Sequence, residues 1–438
     1  MIKINRIEFF IFWCIVLIQS LVWSRFLLSF SLGAIFIVAL FDIPKGKDTK
    51  MTLFQWIIEY LQFWHWQRPP QYPAINRSFL ALTIPFFLVL LSGFLSENLP
   101  YWLSRVQLRL PFLLLPFAFS QILFLPTATG CTISKKQFQS LLFFFLIVIS
   151  VNMVLVLSNY ALNFEEITKK LGQGIAMPFL KEHIIFSVMA AFACLVGMEL
   201  WRSSFFIKYK WEKNVIAVLS LFIFVGLHII AVRTGLIALY LCLILRGALF
   251  IFQSRSYIVG IVGLLVLSLI PYLSYQFLPS FQQRVHYTIW DFEQYQMGDP
   301  SAKSDSERLV SLKIGSQIFL ENKILGVGFG DIEQEMKHLY EQNYPQLDPK
   351  LPHNQWVLTA MGLGIVGLVI SLISFVIPLL EKQRFRNFTF FSLHVLIFVF
   401  CMTDIPFEGT FSLSFYVFFV CLFLNQDKNY DAFQNAKI

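Results

Sequence analysis

Apolar runs of roughly 17–25 residues recur along the chain, separated by short polar connections that carry almost all the charge. Twelve can be drawn: 7–23, 26–42, 78–96, 110–127, 138–158, 183–200, 214–232, 234–252, 257–277, 354–378, 387–403 and 409–425. At 1.5 Å per residue each is long enough for about 30 Å of hydrocarbon. The pattern predicts helices, because backbone polar groups in lipid must be satisfied within their own segment. Between the ninth and tenth runs lies the one long connection, 278–352. Within it, 306–323 shows apolar residues (Leu309, Leu312, Leu320) at three- and four-residue spacing, which predicts an amphipathic helix with Ser306 as N-cap. GVGFG, residues 326–330, then predicts a turn.

Composition agrees with a lipid solvent. Of 438 residues, 57% are hydrophobic and 14% are charged, against about 25% charged in an ordinary soluble domain. The expected fold is an all-α polytopic membrane protein of about twelve spans. The first run has no small-residue cleavage site behind it and is followed at once by a second, so it reads as a span, not a signal peptide. The net charge of +8 is read as basic cytoplasmic loops, with no nucleic-acid partner. With the N-terminus inside, twenty basic residues fall on inner segments and seven on the short outer loops. That bias predicts both termini in the cytoplasm and 278–352 outside. The domains expected are spans one to nine (1–277), the long outer loop (278–352), spans ten to twelve (353–425) and a cytoplasmic tail (426–438). Residues 51–66, rich in Trp, Tyr and Phe, predict a helix lying at the membrane interface. Six scattered cysteines form no CxxC pair and no Cys/His cluster, so neither a disulfide nor a zinc site is expected.

The topology gathers polar residues on the outer side: Arg105, Arg109, His183, Arg233, Arg284, Arg308, His353, Asp404 and Glu408. Charge near lipid is costly and needs water, an anion or another residue. Arg233 sits where almost no loop separates the seventh and eighth runs, and a guanidinium matches phosphate oxygens without titrating away. Snorkelling to headgroups is the structural alternative there. For Arg308 it is an ion pair with Glu307. Arg105 and Arg109, four residues apart, either hold a phosphate or anchor the fourth run. His353 opens the tenth run and can accept a proton near neutral pH, or simply cap a helix; Asn354 beside it can orient it or bond a sugar. His183 is structural or contacts substrate, and His228 is expected in the core. Gly362, Gly364 and Gly367 spell GxGxxG, but no strand precedes them, so small residues for close helix approach are the better reading. No Walker motif, HExxH or DxD-type carboxylate pair occurs, which argues against nucleotide- or nucleotide-sugar-driven chemistry.

His353-Asn354, nine residues, then Gly364-Ile-Val-Gly367 resembles the signature of O-antigen ligases, within a superfamily that includes O-antigen polymerases and protein O-oligosaccharyltransferases. LRLPFLLLPFAF (108–119), AVRTGLIAL (231–239) and 307–331 are similar to other parts of that family. Leu368 follows the GxxG where some members have Thr. The resemblance implies a GT-C-like, inverting, metal-independent glycosyltransferase without a cofactor. Its donor would be a glycan on undecaprenyl pyrophosphate, at the periplasmic face of the bacterial inner membrane. Its acceptor would be a hydroxyl of lipid A-core, another lipid-linked glycan, or a protein Ser or Thr. Arg233, Arg308 and His353 would be catalytic. Arg105, Arg109, His183, Arg284, Asn354 and Glu408 would bind substrate. A lipid-linked glycan flippase is the alternative from a different class, and would predict ionisable groups deep within the spans.

Overall fold

The computed structural model describes residues 6–40, 77–124, 133–179, 182–254, 257–297 and 305–426. The interfacial helix expected at 51–66, Cys131 and most of the tail lie outside them. Among the described residues there are seventeen α-helices and no strand. They are α1 (Arg6–Trp23), α2 (Arg25–Leu40), α3 (Arg77–Leu91), α4 (Leu99–Leu108), α5 (Pro111–Phe124), α6 (Lys135–Leu162), α7 (Phe164–Gly172), α8 (His183–Arg202) and α9 (Glu212–Ile230). There follow α10 (Arg233–Ser254), α11 (Tyr257–Phe277), α12 (Pro279–Gln296), α13 (Asp305–Glu321), α14 (Ile332–Asn343), α15 (Gln355–Leu380), α16 (Phe388–Thr403) and α17 (Thr410–Leu424).

Among the described residues each of the twelve apolar runs falls mainly on a helix. Among the described residues seven helices are long and apolar enough to cross a membrane: α3 with the turn after it, α6, α8, α9, α10, α11 and α15. Helices α1, α2, α16 and α17 are apolar but shorter. The chain is therefore a polytopic helical membrane protein. Its core is built around α17, whose side chains from Phe411 to Leu424 are all buried, as expected of a helix that is apolar all round. Phe145, Phe192, Phe415 and Phe419 interlock there with ring centroids 4.7–6.0 Å apart. In lipid such packing, not hydrophobicity, holds helices together.

The run 354–378 is not one straight helix. Gly364 has φ 64° and ψ −167°, a conformation essentially confined to glycine, and the chain reverses there. Trp356 and Phe375, nineteen positions apart, would be roughly 28 Å apart along a straight helix. Their rings instead meet at 5.8 Å. Helix α15 is thus a hairpin of a nine-residue first arm, Gln355 to Leu363, and a longer second arm, Ile365 to Leu380.

The loop after α13 docks into this break. The Val327 and Gly328 N–H groups donate to the Met361 and Gly362 carbonyls (2.9 and 3.1 Å), and the Ile365 N–H donates to the Lys323 carbonyl (2.8 Å). Gly364 meets the docked loop, Gly362 meets Phe329 of that loop and Ile332 of α14, and Gly367 meets Leu363 of the first arm. The GVGFG turn is also fastened to the end of α3. Phe329 N–H and Gly330 N–H donate to Ser92 and Ser96, and Asp331 accepts from the N–H groups of Glu97 and Asn98.

Two local expectations need correcting. The buried stripe of α13 is Val310, Ile314 and Ile318 with Ser311 and Gly315, while Leu309 and Leu320 are exposed. The helix has two apolar stripes, and the β-branched one, flanked by the small Ser311 and Gly315, packs inward. Nor does Ser306 cap α13. The helix begins at Asp305, whose N–H is bound by the Asp291 carboxylate from α12, and Ser306 itself donates to Asp291.

Candidate functional site

The site grows from the tight connection between α9 and α10. Ala231 takes a left-handed conformation (φ 50°), and within two residues Arg233 begins α10. Its guanidinium grips the Asp305 carboxylate with two bonds, 2.5 and 2.9 Å, and donates to Thr288 Oγ1 at 3.2 Å. Asp305 is the first residue of α13, so this pair fixes that helix end against α10. Behind it, burial raises the pKa of Asp291, offset by its bonds to Asp305 N–H and Ser306. Arg308 stands one turn beyond Asp305 on the same face. Glu307 pairs with Lys350, not with Arg308.

Helix α12 adds Arg284, which donates to the Gly174 carbonyl at 3.1 Å. Burial, and then the neighbouring Arg233 charge, push its pKa down to about 10, so it stays a cation at neutral pH. Among the described residues neither Arg284 nor Arg308 makes an ion pair. His183, Arg233, Thr234, Arg284 and Arg308 line one cavity of about 190 Å³ together with Gly174 and Ala176. Three guanidiniums against a single paired carboxylate leave an excess of positive charge in a partly enclosed space. Such a space favours an anion with several oxygens.

His353 and Asp404 stand beside this cavity. His353 Nδ1 lies 3.1 Å from Asp404 Oδ1, with side chains 26% and 19% exposed. Burial alone would raise the Asp404 pKa, but the bond and charge of His353, the Ile405 N–H and the charge of Arg308 hold it below the usual aspartate range. The ionised carboxylate accepts a hydrogen bond from His353 Nδ1–H, and in the neutral ring that tautomer leaves Nε2 as the acceptor. Thr234 next to Arg233 meets Thr403 next to Asp404 at 3.3 Å, tying the two parts together. A cationic cavity thus adjoins an imidazole oriented by a carboxylate.

The remaining expected residues fall elsewhere. Arg105 and Arg109 both pair with Glu408, and Arg109 also covers the Phe329 ring at 4.3 Å. Arg109 and Glu408 are almost fully buried, so this group acts as a clamp between α4 and the turn before α17. It is not among the residues lining the basic cavity. Asn354 caps α15: its Oδ1 accepts from the N–H groups of Trp356 and Val357, and its Nδ2 donates to the Met402 carbonyl. His353 is not the cap. His228 is buried, bonded to the Phe224 carbonyl and the Tyr240 hydroxyl. Asp305 was missed because it was masked by an unremarkable KSDSE stretch. Asp404 was visible as an outer charge, but nothing local links it to a histidine fifty-one positions away. Among the described residues no group of three or more His, Cys, Asp and Glu is arranged to hold a metal.

No curated protein matches the chain. A family model does match residues 216–372, a stretch from α9 into the second arm of α15 that carries Arg233, Arg284, Arg308 and His353. That model is the O-antigen ligase family, and the match over this stretch supports the resemblance of the chain to the O-antigen ligase superfamily.

Proposed function

We propose that this protein is a membrane glycosyltransferase that moves a glycan from undecaprenyl pyrophosphate to an acceptor hydroxyl, with lipid A-core as the acceptor. The cavity joining Arg233, Arg284 and Arg308 beside the His353–Asp404 pair carries this reading. In the proposed reaction the donor pyrophosphate lies among the three guanidiniums. The acceptor hydroxyl attacks the anomeric carbon as the bond from that carbon to the phosphate oxygen breaks. The hydroxyl proton passes to His353 Nε2, and the bonding pair leaves with the lipid pyrophosphate. Fixed donors that meet charge as it develops on the leaving group supply the main stabilisation. His353 contributes general-base catalysis, typically about 10²–10⁴-fold. A single attack from the opposite face inverts the anomeric centre.

The reaction is further proposed to be metal-independent, in a GT-C-like arrangement of twelve spans. The termini would be cytoplasmic and the cavity would face the periplasm from the inner membrane. The clustering of Arg233, Arg284, Arg308 and His353 at one end of the helical bundle supports catalysis there over a path through both faces. A deletion strain tests the reading. Loss of all glycan attached to lipid A-core, restored by the wild type but not by Arg308→Ala, is expected. Single-repeat products would identify a polymerase instead. Unglycosylated proteins with normal lipopolysaccharide would identify a protein transferase. A normal glycan profile would refute the function.

A further inference from the structure

The geometry points to the loop 323–328 and Gly364 as a positioning element that sets His353 against Arg308. This inference rests on the proposed reaction for its kinetic consequence, though not for its structural one. The first arm of α15 is only nine residues, roughly 13 Å long. Both of its ends are pinned. At the start, Gln355 N–H donates to the Asp404 carbonyl (3.1 Å), Gln355 Oε1 accepts from Phe407 N–H (2.9 Å), and Asn354 holds Met402. At the far end its last carbonyls would be orphaned, as at any helix terminus, and the loop supplies their donors.

The same loop is the continuation of α13, the helix that carries Arg308. Gly315 of α13 lies against Met361 and Pro352, where a Cβ would come within 2.9 and 3.1 Å. One short rod therefore spans from the glycine joint to His353, and one helix spans from the same joint to Arg308. A displacement at the joint must move the imidazole relative to the guanidinium.

Nothing but glycine fits the joint. Gly364 has a backbone conformation closed to side chains, and a Cβ there would overlap the Ile324 carbonyl. A Cβ on Gly326 (φ 72°) would overlap the backbone at Met361 and Gly362. Gly362 is milder: its Cβ would meet the Ile332 Cδ1 and the Phe329 ring, which can yield. The GxxG spacing after His353 thereby acquires a physical meaning. Nine residues is the length of the arm, and the glycine after it is the reversal.

Gly364→Ala and Gly362→Ala test this, with Gly263→Ala as a control because nothing lies within 4 Å of its Cβ. The purified full chain in nanodiscs is assayed for donor KM and for kcat, and its histidines are ¹⁵N-labelled for NMR. His353→Ala assigns the His353 resonance. The expected result is an unchanged donor KM with kcat reduced about 10²-fold in Gly364→Ala, the scale of a 1 Å misplacement. A smaller loss of roughly threefold to tenfold is expected in Gly362→Ala. In both, the His353 Nδ1 signal moves while the other histidine signals stay. Should Gly364→Ala fail to accumulate, Gly362→Ala decides. Wild-type kcat, or a raised KM at unchanged kcat, or an unmoved His353 signal, overturns the inference. If His353→Ala itself keeps full kcat, the proposed reaction has failed. The NMR signal still decides the positioning.

Discussion

Asp404→Asn is the most direct probe of how His353 works. The substitution keeps the side-chain shape and the oxygen that also accepts the Ile405 N–H at 2.9 Å, so the turn after α16 persists. What it removes is the negative charge facing His353 Nδ1 at 3.1 Å. In the proposed reaction that charge steadies the imidazolium formed when the acceptor proton arrives. A hydrogen bond to a charged group is worth about 1.5–3 kcal/mol. At 1.36 kcal/mol per decade, kcat should fall roughly 10- to 150-fold. Donor KM should stay near its wild-type value, because Arg233, Arg284 and Arg308 are untouched. Stability carries a second signature. The Asp404 pKa is depressed in the folded protein, so its stabilisation is present above the unfolded value of about 3.9. It is lost as pH falls through the folded value. Wild type and Asp404→Asn should therefore differ in Tm at pH 7 and converge as pH drops below about 4. Initial rates of glycan transfer in reconstituted vesicles and a pH series of thermal melts check both halves. A variant with wild-type kcat and the same Tm difference at every pH would refute the assigned role.

Glu408→Gln should be far more damaging to stability than to chemistry. It leaves Arg109 buried without a counter-charge, a loss of about 3–5 kcal/mol. Thermal unfolding in detergent should show a large drop in Tm, with near-normal specific activity in whatever protein survives. Asn354→Ala removes the cap of α15 and should cost about 1 kcal/mol. Asn354→Asp, which keeps the accepting oxygen, should recover most of the loss in the same melts. Chelation with EDTA should leave transfer unchanged; inhibition reversed by a divalent cation would overturn the metal-independent step.

The sequence disclosed elements better than it disclosed joints. The run 257–277 coincides with α11, because a lipid-facing helix needs no partner to define its ends. The same rule drew 354–378 as one uninterrupted run, which Gly364 breaks. Hydropathy counts apolar length, and it is blind to one glycine whose backbone turns the chain back on itself. The register of α13 failed for a related reason: two apolar stripes compete on it, and only packing selects Val310, Ile314 and Ile318. At the candidate site, four of the residues singled out from charge and topology (His183, Arg233, Arg284 and Arg308) line one cavity. Uncompensated cations at one end of an apolar bundle are legible because lipid makes them expensive. Arg105 and Arg109 look identical in sequence, yet Glu408, about three hundred positions away, claims them both. Pairing across that distance leaves no local trace. Asp305, and the partner of Asp404, escaped notice on the same ground, since each carboxylate acts through a residue far off in the chain.

Binding and turnover measured together on purified protein would test the division of labour most directly. The donor supplied as probe is a glycan on undecaprenyl pyrophosphate, and the readouts are donor affinity and single-turnover release of the lipid pyrophosphate. His353→Ala is predicted to bind donor as the wild type does while release collapses by about 10²-fold or more. Arg233→Ala and Arg308→Ala are predicted to lose affinity as well as turnover. Wild-type release by His353→Ala, or undiminished donor affinity in both arginine variants, would contradict a cationic cavity that holds the diphosphate beside an imidazole that takes the proton.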